Sequence, residues 1–370
     1  MITLGQQHGG AQTLVGSDPI NMLFGDAGVN LRDRAVDGND TLLTSGFGSL
    51  FGDAGGRLFG YVRGGNDSFT ASGLEYNNHL YGDAGGDMAG HAAGGNDSFA
   101  VSGINPFNFV FGDAGGNMSA SAAGGNDTFN DSSDATPVDR NVFAGDAGGN
   151  MSGLARGGDD TFNKTGLGGS TFYGDAGGNM GDQAAGGDDT YIGGNVFCQL
   201  ANQAYGDAST MSGHAHGGND TLVGGDDPNP HPAGSYETIL VGDAQSMSDY
   251  ASGGNDKLVS GTGNDDMSGD AQVMLGFAKG GNDTFVFNFG SGHDRIEDFG
   301  RALSNLGSDH IDVSALGIAD FSDLSISQFD PATHESTITF SPGNDVVVHS
   351  EEALRPEDFI FAPYQDLLLA

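Results

Sequence analysis

One cysteine and no tryptophan stand in this chain of 370 residues, and only 12 of its residues are Lys or Arg. The solitary Cys198 excludes an internal disulfide framework and any cysteine-built zinc site, and it leaves the redox compartment open. Twelve basic residues against 50 acidic ones give a net charge of −38. That surplus repels nucleic acid, and it keeps an anionic membrane surface away unless a cation bridges the two. No long apolar run is present, so no membrane insertion is expected. The opening MITLGQQHGGAQTLVG lacks the basic-then-apolar order of a signal peptide. HExxH, GxSxG, phosphate-loop and paired-Cys motifs are missing too, and no nucleophile stands with its base, so no enzyme is predicted.

What the chain has in excess is glycine, 67 residues of it, and aspartate, since only seven of the acidic residues are Glu. Asp is the acid of turns and of fixed oxygen cages. A disordered acidic tail would be poor in apolar residues, whereas 36% of this chain is hydrophobic, with 24 Phe at regular intervals.

The regularity is a repeat. The Asp of each GDA gives Asp26, Asp53, Asp83, Asp113, Asp146, Asp175, Asp207, Asp243 and Asp270, spaced 27 to 36 residues apart, a period that signals a solenoid. The last Asp of GGND and its variants gives Asp40, Asp67, Asp97, Asp127, Asp160, Asp189, Asp220, Asp256 and Asp283. From first to second marker the distance is 14 in six units and 13 in the last three, while the return wanders between 13 and 23. The shortening falls where GDAGGNM becomes GDASTM, GDAQSM and GDAQVM, which predicts an exposed turn there.

Apolar rows accompany the markers. Leu31, Leu58 and seven Met, from Met88 to Met274, are each followed four residues later by a small apolar residue, and even spacing puts both on one face of a strand. Further rows run from Leu42 to Phe285 and from Leu23 to Met267. Short strands between Gly-Asp turns, without helical periodicity, predict an all-β chain. The expected fold is a right-handed parallel β-solenoid (β-roll or β-helix) of about nine coils with a thin, continuous core and a C-terminal β cap.

Stacked coils would place each marker Asp about 4.8 Å from the next. Neighbours then repel by about 0.9 kcal/mol in a water-like dielectric and about 3.5 kcal/mol at an effective dielectric of 20. Lys and Arg are too few to neutralise the files, whereas Ca²⁺ takes six to eight oxygens, including carbonyls that glycine turns let converge. The plainer alternative is that Asp and Gly are ordinary turn residues capping local amides. Neither Asn nor Ser ever replaces a marker, which favours the cation.

GGNDTL, GGNDTF and YGDAGG resemble the Gly-rich nonapeptide G-G-x-G-x-D-x-U-x of the repeats-in-toxin calcium-binding family, over roughly residues 22 to 283. The resemblance implies multiple bound Ca²⁺ ions and a ligand role for the nine Asp from Asp40 to Asp283. Family members close a coil in two nonapeptides. These units have at least 27 residues, so a wider, three-sided coil is expected. After Asp283, GSGHDRIEDF and a late DFIF resemble the C-terminal region of family members exported by type I secretion, with Asp294, Asp298, Asp309 and Asp312 at its acidic positions. Of these, Asp294 and Asp298 are added to the candidate ligands.

The expected organisation is a lead-in over 1–21, calcium-binding repeats over 22–283, a β-rich cap or secretion region over 284–362 and a tail over 363–370. The expected role is a secreted, extracellular structural or adhesive element at the bacterial surface. Its expected partners are calcium, further copies of itself in a homo-oligomer or filament, and a cell-surface polysaccharide. Two other classes stay open: an enzyme's non-catalytic module or a carbohydrate-active extracellular enzyme with chemistry in loops such as 224–238, and an ice or sugar binder using the hydroxyl file Thr41, Ser68, Ser98, Thr128, Thr161, Thr190, Thr221 and Thr284. Phe24, Phe51, Tyr81, Phe111, Tyr173 and Tyr205 are expected to face outward, and His214 and His216 to share a strand face, as exposed polar positions of an Ala-rich strand rather than as a transition-metal pair.

Overall fold

A computed structural model describes residues 2–4, 10–73, 77–104, 107–134, 140–194, 202–226, 238–301 and 305–363. Cys198 and most of the 224–238 loop and the C-terminal tail lie outside the described residues. The chain is a β-solenoid of about nine turns. One sheet of 14 strands starts at Ile2–Leu4 and takes the strand before each GDA; a second, of 12 strands, takes the strand after each second marker. Between GDA and the second marker each coil adds a third face, with strands such as Leu58–Gly60 and Ala176–Met180. Isolated bridges from Met88 to Met118, Met151 and Met180 join its two short sheets.

Side chains of one row pair directly with their counterparts on the next coil: Phe99 with Phe69 and Phe129, Leu80 with Leu50 and Val110. Tolerated variation therefore has to be volume-matched, coil upon coil. The sequence predicts a single core, but the structure has two. Leu, Phe and Val of the two long sheets form one cluster, and the Ala and Met residues of the third face form another. Where the chain crosses between them stand the marker aspartates, flanked in sequence by one residue of each cluster, as Leu23 and Ala27 flank Asp26.

The expectation of one strand carrying both the Met and the Ala row is corrected. The residue two after each Leu or Met has positive φ in all nine coils: Asp33, Gly60, Gly90, Ala120, Gly153, Asp182, Gly213, Asp249 and Gly276, from 59° to 92°. A left-handed residue turns the chain, so both rows reach the small core from two sides of a corner, and Gly and Asp dominate because they tolerate that conformation. The one-residue shortening does fall in GDAGGNM, but as a shift of register within a strand: Ala176 pairs with Ala208 while Asn179 pairs with Thr210. The extra residue is a bulge in a half-buried face rather than an exposed turn.

The aromatic row is also corrected. Phe24, Phe51 and Tyr205 are buried, and Tyr81, Phe111 and Tyr173 are half-buried. Phe24, Phe51 and Tyr81 stack at 4.8 Å. Phe24, Phe51, Tyr81 and Phe111 each cover the first Gly after GDA on the next coil: a Cβ on Gly55 would lie 2.2 Å from the Phe24 ring, and one on Gly85 would lie 2.4 Å from Phe51. These rings are therefore packing between coils, which explains the glycine that follows.

At the rim where the second sheet returns to the first lies a polar ladder the sequence reading missed. The Asn78 amide donates to Asn108 Oδ1 at 3.0 Å and the Asn108 amide to Asn141 Oδ1 at 2.9 Å. Asn141 Nδ2 donates to Asp131 Oδ2 at 3.2 Å, and Lys164 Nζ lies 3.3 Å from the same oxygen, both charged side chains fully buried. Burial pulls the Lys164 pKa down. Lys164→Met is expected to destabilise the fold by about 3–5 kcal/mol, because it strands Asp131 in the core. Adding Asp131→Val, which matches Val101 on the coil before, is expected to restore most of the lost melting temperature.

Past Asp283 the ladders continue: His293–Phe299 pairs with Asp265–Ser268, and His310–Asp312 with Thr284–Val286. An antiparallel hairpin, Glu335–Ser341 and Asn344–Ser350, then closes the first sheet.

Candidate metal centre

All eighteen marker aspartates are buried, at most 2% exposed. The turn geometry makes them reciprocal. From the second turn the Gly65 amide donates to Asp53 at 3.0 Å, and the same bond recurs from Gly95 to Asp83 and from Gly125 to Asp113. Successive first-marker carboxylates meet at the leading Gly of GGND: the place of a Cβ on Gly94 lies 1.6 Å from Asp113 Oδ1 and 2.7 Å from Asp83 Oδ2. Only a residue without a side chain leaves that space to two carboxylates.

The second file is bonded along the stack. Each amide donates to Oδ1 of the next coil's Asp: Asp40 to Asp67 at 2.6 Å, Asp67 to Asp97 at 2.5 Å, and so on to Asp256 to Asp283 at 2.8 Å. Oδ2 of all nine has no hydrogen-bond partner although it is buried. It points at the Gly of GDA: the place of a Cβ on Gly82 is 1.9 Å from Asp97 Oδ2 and 1.6 Å from the Gly112 carbonyl oxygen. Two acceptor oxygens thus face each other across the volume of one methyl, and this recurs from Gly25 to Gly242. Oδ2 of Asp175, Asp207, Asp243 and Asp270 in the first file is also unpartnered.

Ordinary turn chemistry therefore accounts for one oxygen of each second-file Asp, and that bond runs to the next coil rather than locally. The second oxygen has no hydrogen-bond partner in the protein. Burial, and after it the neighbouring carboxylates, raise Asp97, Asp113, Asp189 and Asp243 far above the usual carboxylate range. Burial first, and then Asp283 and Asp298, push Asp270 up to about 9, and burial, again the largest cause, pushes Asp207 to about 7. A buried charge without a partner costs several kcal/mol. Converging carboxylate and carbonyl oxygens fit a hard cation.

The C-terminal candidates divide. Asp298 extends the first file, accepting the Gly269 and Asp270 amides at 2.8 and 3.1 Å. Asp309, matched by the resemblance but outside the expected ligand set, extends the second, accepting the Asp283 amide at 3.0 Å. Asp294 belongs to neither. It accepts the Asp265 amide at 2.9 Å and the Ser260 hydroxyl at 3.0 Å at the opposite rim. Asp312 accepts the Ser314 amide in a local turn. His214 and His216 do not share a strand: His214 lies in the turn that begins at Gly213 and stacks on Tyr250, whereas His216 lies past that turn in the bridge to Ala185 and Ser252, its Nδ1 2.7 Å from Ser252 Oγ.

Comparison of the chain with family models, with curated proteins and with solved structures finds no match. No helix among the described residues is long and apolar enough to cross a membrane.

Proposed function

We propose that the protein is an extracellular calcium-binding solenoid with a structural or adhesive role at the bacterial surface, related in kind to the repeats-in-toxin proteins. The observation that carries the reading is the column of nine buried, unpartnered Oδ2 atoms, eight of which, from Asp40 to Asp256, face a glycine carbonyl. Ca²⁺ would be held by these oxygens, by those carbonyls and by the first-file carboxylates. In a calcium-poor cytoplasm the repelling files keep the chain open for type I export, and outside the cell the ion binds only the folded form.

Two surface features support a contact role. A rim row on the third face, Tyr61, Tyr250 and Phe277, is 56–68% exposed, with Tyr61 stacked on His91 at 4.8 Å and Tyr250 on Phe277 at 5.2 Å. Exposed aromatic rings stacked along the axis suit contact with a polysaccharide or another copy of the chain. The hydroxyl file from Thr41 to Thr284 is aligned strand to strand on the outer face of the second sheet, interrupted by Lys257. It gives a sugar-binding face a regular spacing.

Calorimetric titration of the metal-stripped chain with Ca²⁺ is expected to show several ions bound per chain. A heat trace indistinguishable from dilution would end this reading.

A further inference from the structure

Asp37 stands where the other eight coils have the leading Gly of the second turn, Gly64, Gly94 and their successors. No spacing rule singled it out. In the structure its carboxylate joins those of Asp26, on its own coil, and Asp53, on the next. The three offer oxygens within 4.8 Å of one another, and all three residues are buried. Around a Ca²⁺ ion with bonds of about 2.3–2.6 Å, oxygens on opposite sides lie about that far apart.

The environment of Asp37 shows what is unfinished there. Both of its oxygens are buried without any hydrogen-bond partner, and the residue is 7% exposed. Asp26 and Asp53, by contrast, already accept the amides of Gly38 and Gly65, at 2.8 and 3.0 Å, which hold their carboxylates toward the third. Asp40, with its own unpartnered Oδ2, adds negative charge close by. A carboxylate with neither of its oxygens partnered, beside two fixed carboxylates, lacks only a cation.

We infer that Asp26, Asp37 and Asp53 form a distinct, oxygen-only site for one divalent cation of the calcium type, tighter than those along the repeat. This rests on the calcium reading above and deepens it. At later coils two first-file carboxylates converge on a glycine; here a third enters the same space from the chain itself. Greater ligand charge at comparable geometry raises affinity. The ion clamps the coil of Asp26 and Asp37 to the coil of Asp53.

Asp37→Gly is the decisive variant, since it restores the residue the repeat uses elsewhere and so preserves the fold. Full-length, metal-stripped wild-type chain, Asp37→Gly and Asp37→Asn are titrated with Ca²⁺ by calorimetry, with circular dichroism of the loaded forms alongside. The wild type is expected to fill one tight site before a weaker class. Both variants are expected to lose that first step, weakened by about tenfold or more, while the weaker class and the loaded spectrum persist. If the wild type binds calcium and Asp37→Gly gives the same isotherm, the distinct site is overturned and the repeat reading stands. If the wild type takes up no calcium at all, both fall.

Discussion

Stripping divalent cations from the protein in mildly alkaline buffer is expected to unfold it, and restoring Ca²⁺ to millimolar excess to refold it, with monovalent salt at equal ionic strength a poor substitute. Each second-file Asp keeps one bonded and one unpartnered oxygen inside the fold. Without an ion every coil buries two carboxylates facing other acceptors, at several kcal/mol for each charge left unpaired. A site filled at a hundredfold excess over its dissociation constant contributes about 2.7 kcal/mol, and typical domains are stable by only about 5–15 kcal/mol. A handful of sites is enough to decide the matter. The readouts are the far-ultraviolet β signal and the hydrodynamic radius. Equal melting temperatures in chelator and in millimolar calcium would defeat the expectation.

Acid is expected to replace calcium. In the ion-free fold the carboxyl pKa values lie above the unfolded value of 3.8, at about 6 for Asp298, about 7 for Asp207 and about 9 for Asp270, with burial the largest cause in each. The folded state then holds more protons than the unfolded one across that window. Its stability is full below 3.8 and falls as pH rises through the folded values. The chelated chain should therefore gain structure on acidification from about 9 toward about 4, the reverse of ordinary acid denaturation. The calcium-loaded chain shows the opposite slope, because protons compete with the ion for the same oxygens. Melting temperature against pH should give two lines that cross. A chelated chain that loses stability as pH falls from 7 to 5 would contradict the buried files.

Why the markers were so legible in the sequence follows from their surroundings. Asp97 and Gly82 of one coil meet beside the Gly112 carbonyl of the next with no spare volume, so neither the acid nor the missing side chain can be exchanged, and a fixed spacing survives while the return loops drift. The Met and Ala rows were equally readable, but the left-handed corner between them was not. Its signal, Gly or Asp two residues after Leu or Met, was present at eight of nine positions and hidden at Ala120. Asp37 escaped because it breaks the repeat. Phe24 and its row were misplaced because alternation along a strand says which way a ring points, and nothing about what the next coil lays over it.

The sequence alone determined the number of coils, the two acidic files and the parallel stacking, since periodicity is a one-dimensional property and stacked identical units inherit it. Only the tertiary structure decided that the files run between two apolar cores. That depends on the chain turning back at a left-handed residue in each coil, which puts hydrocarbon on both sides of the same carboxylates. An acid whose position in the period was plain from the letters thereby became, through packing, an acid cut off from water.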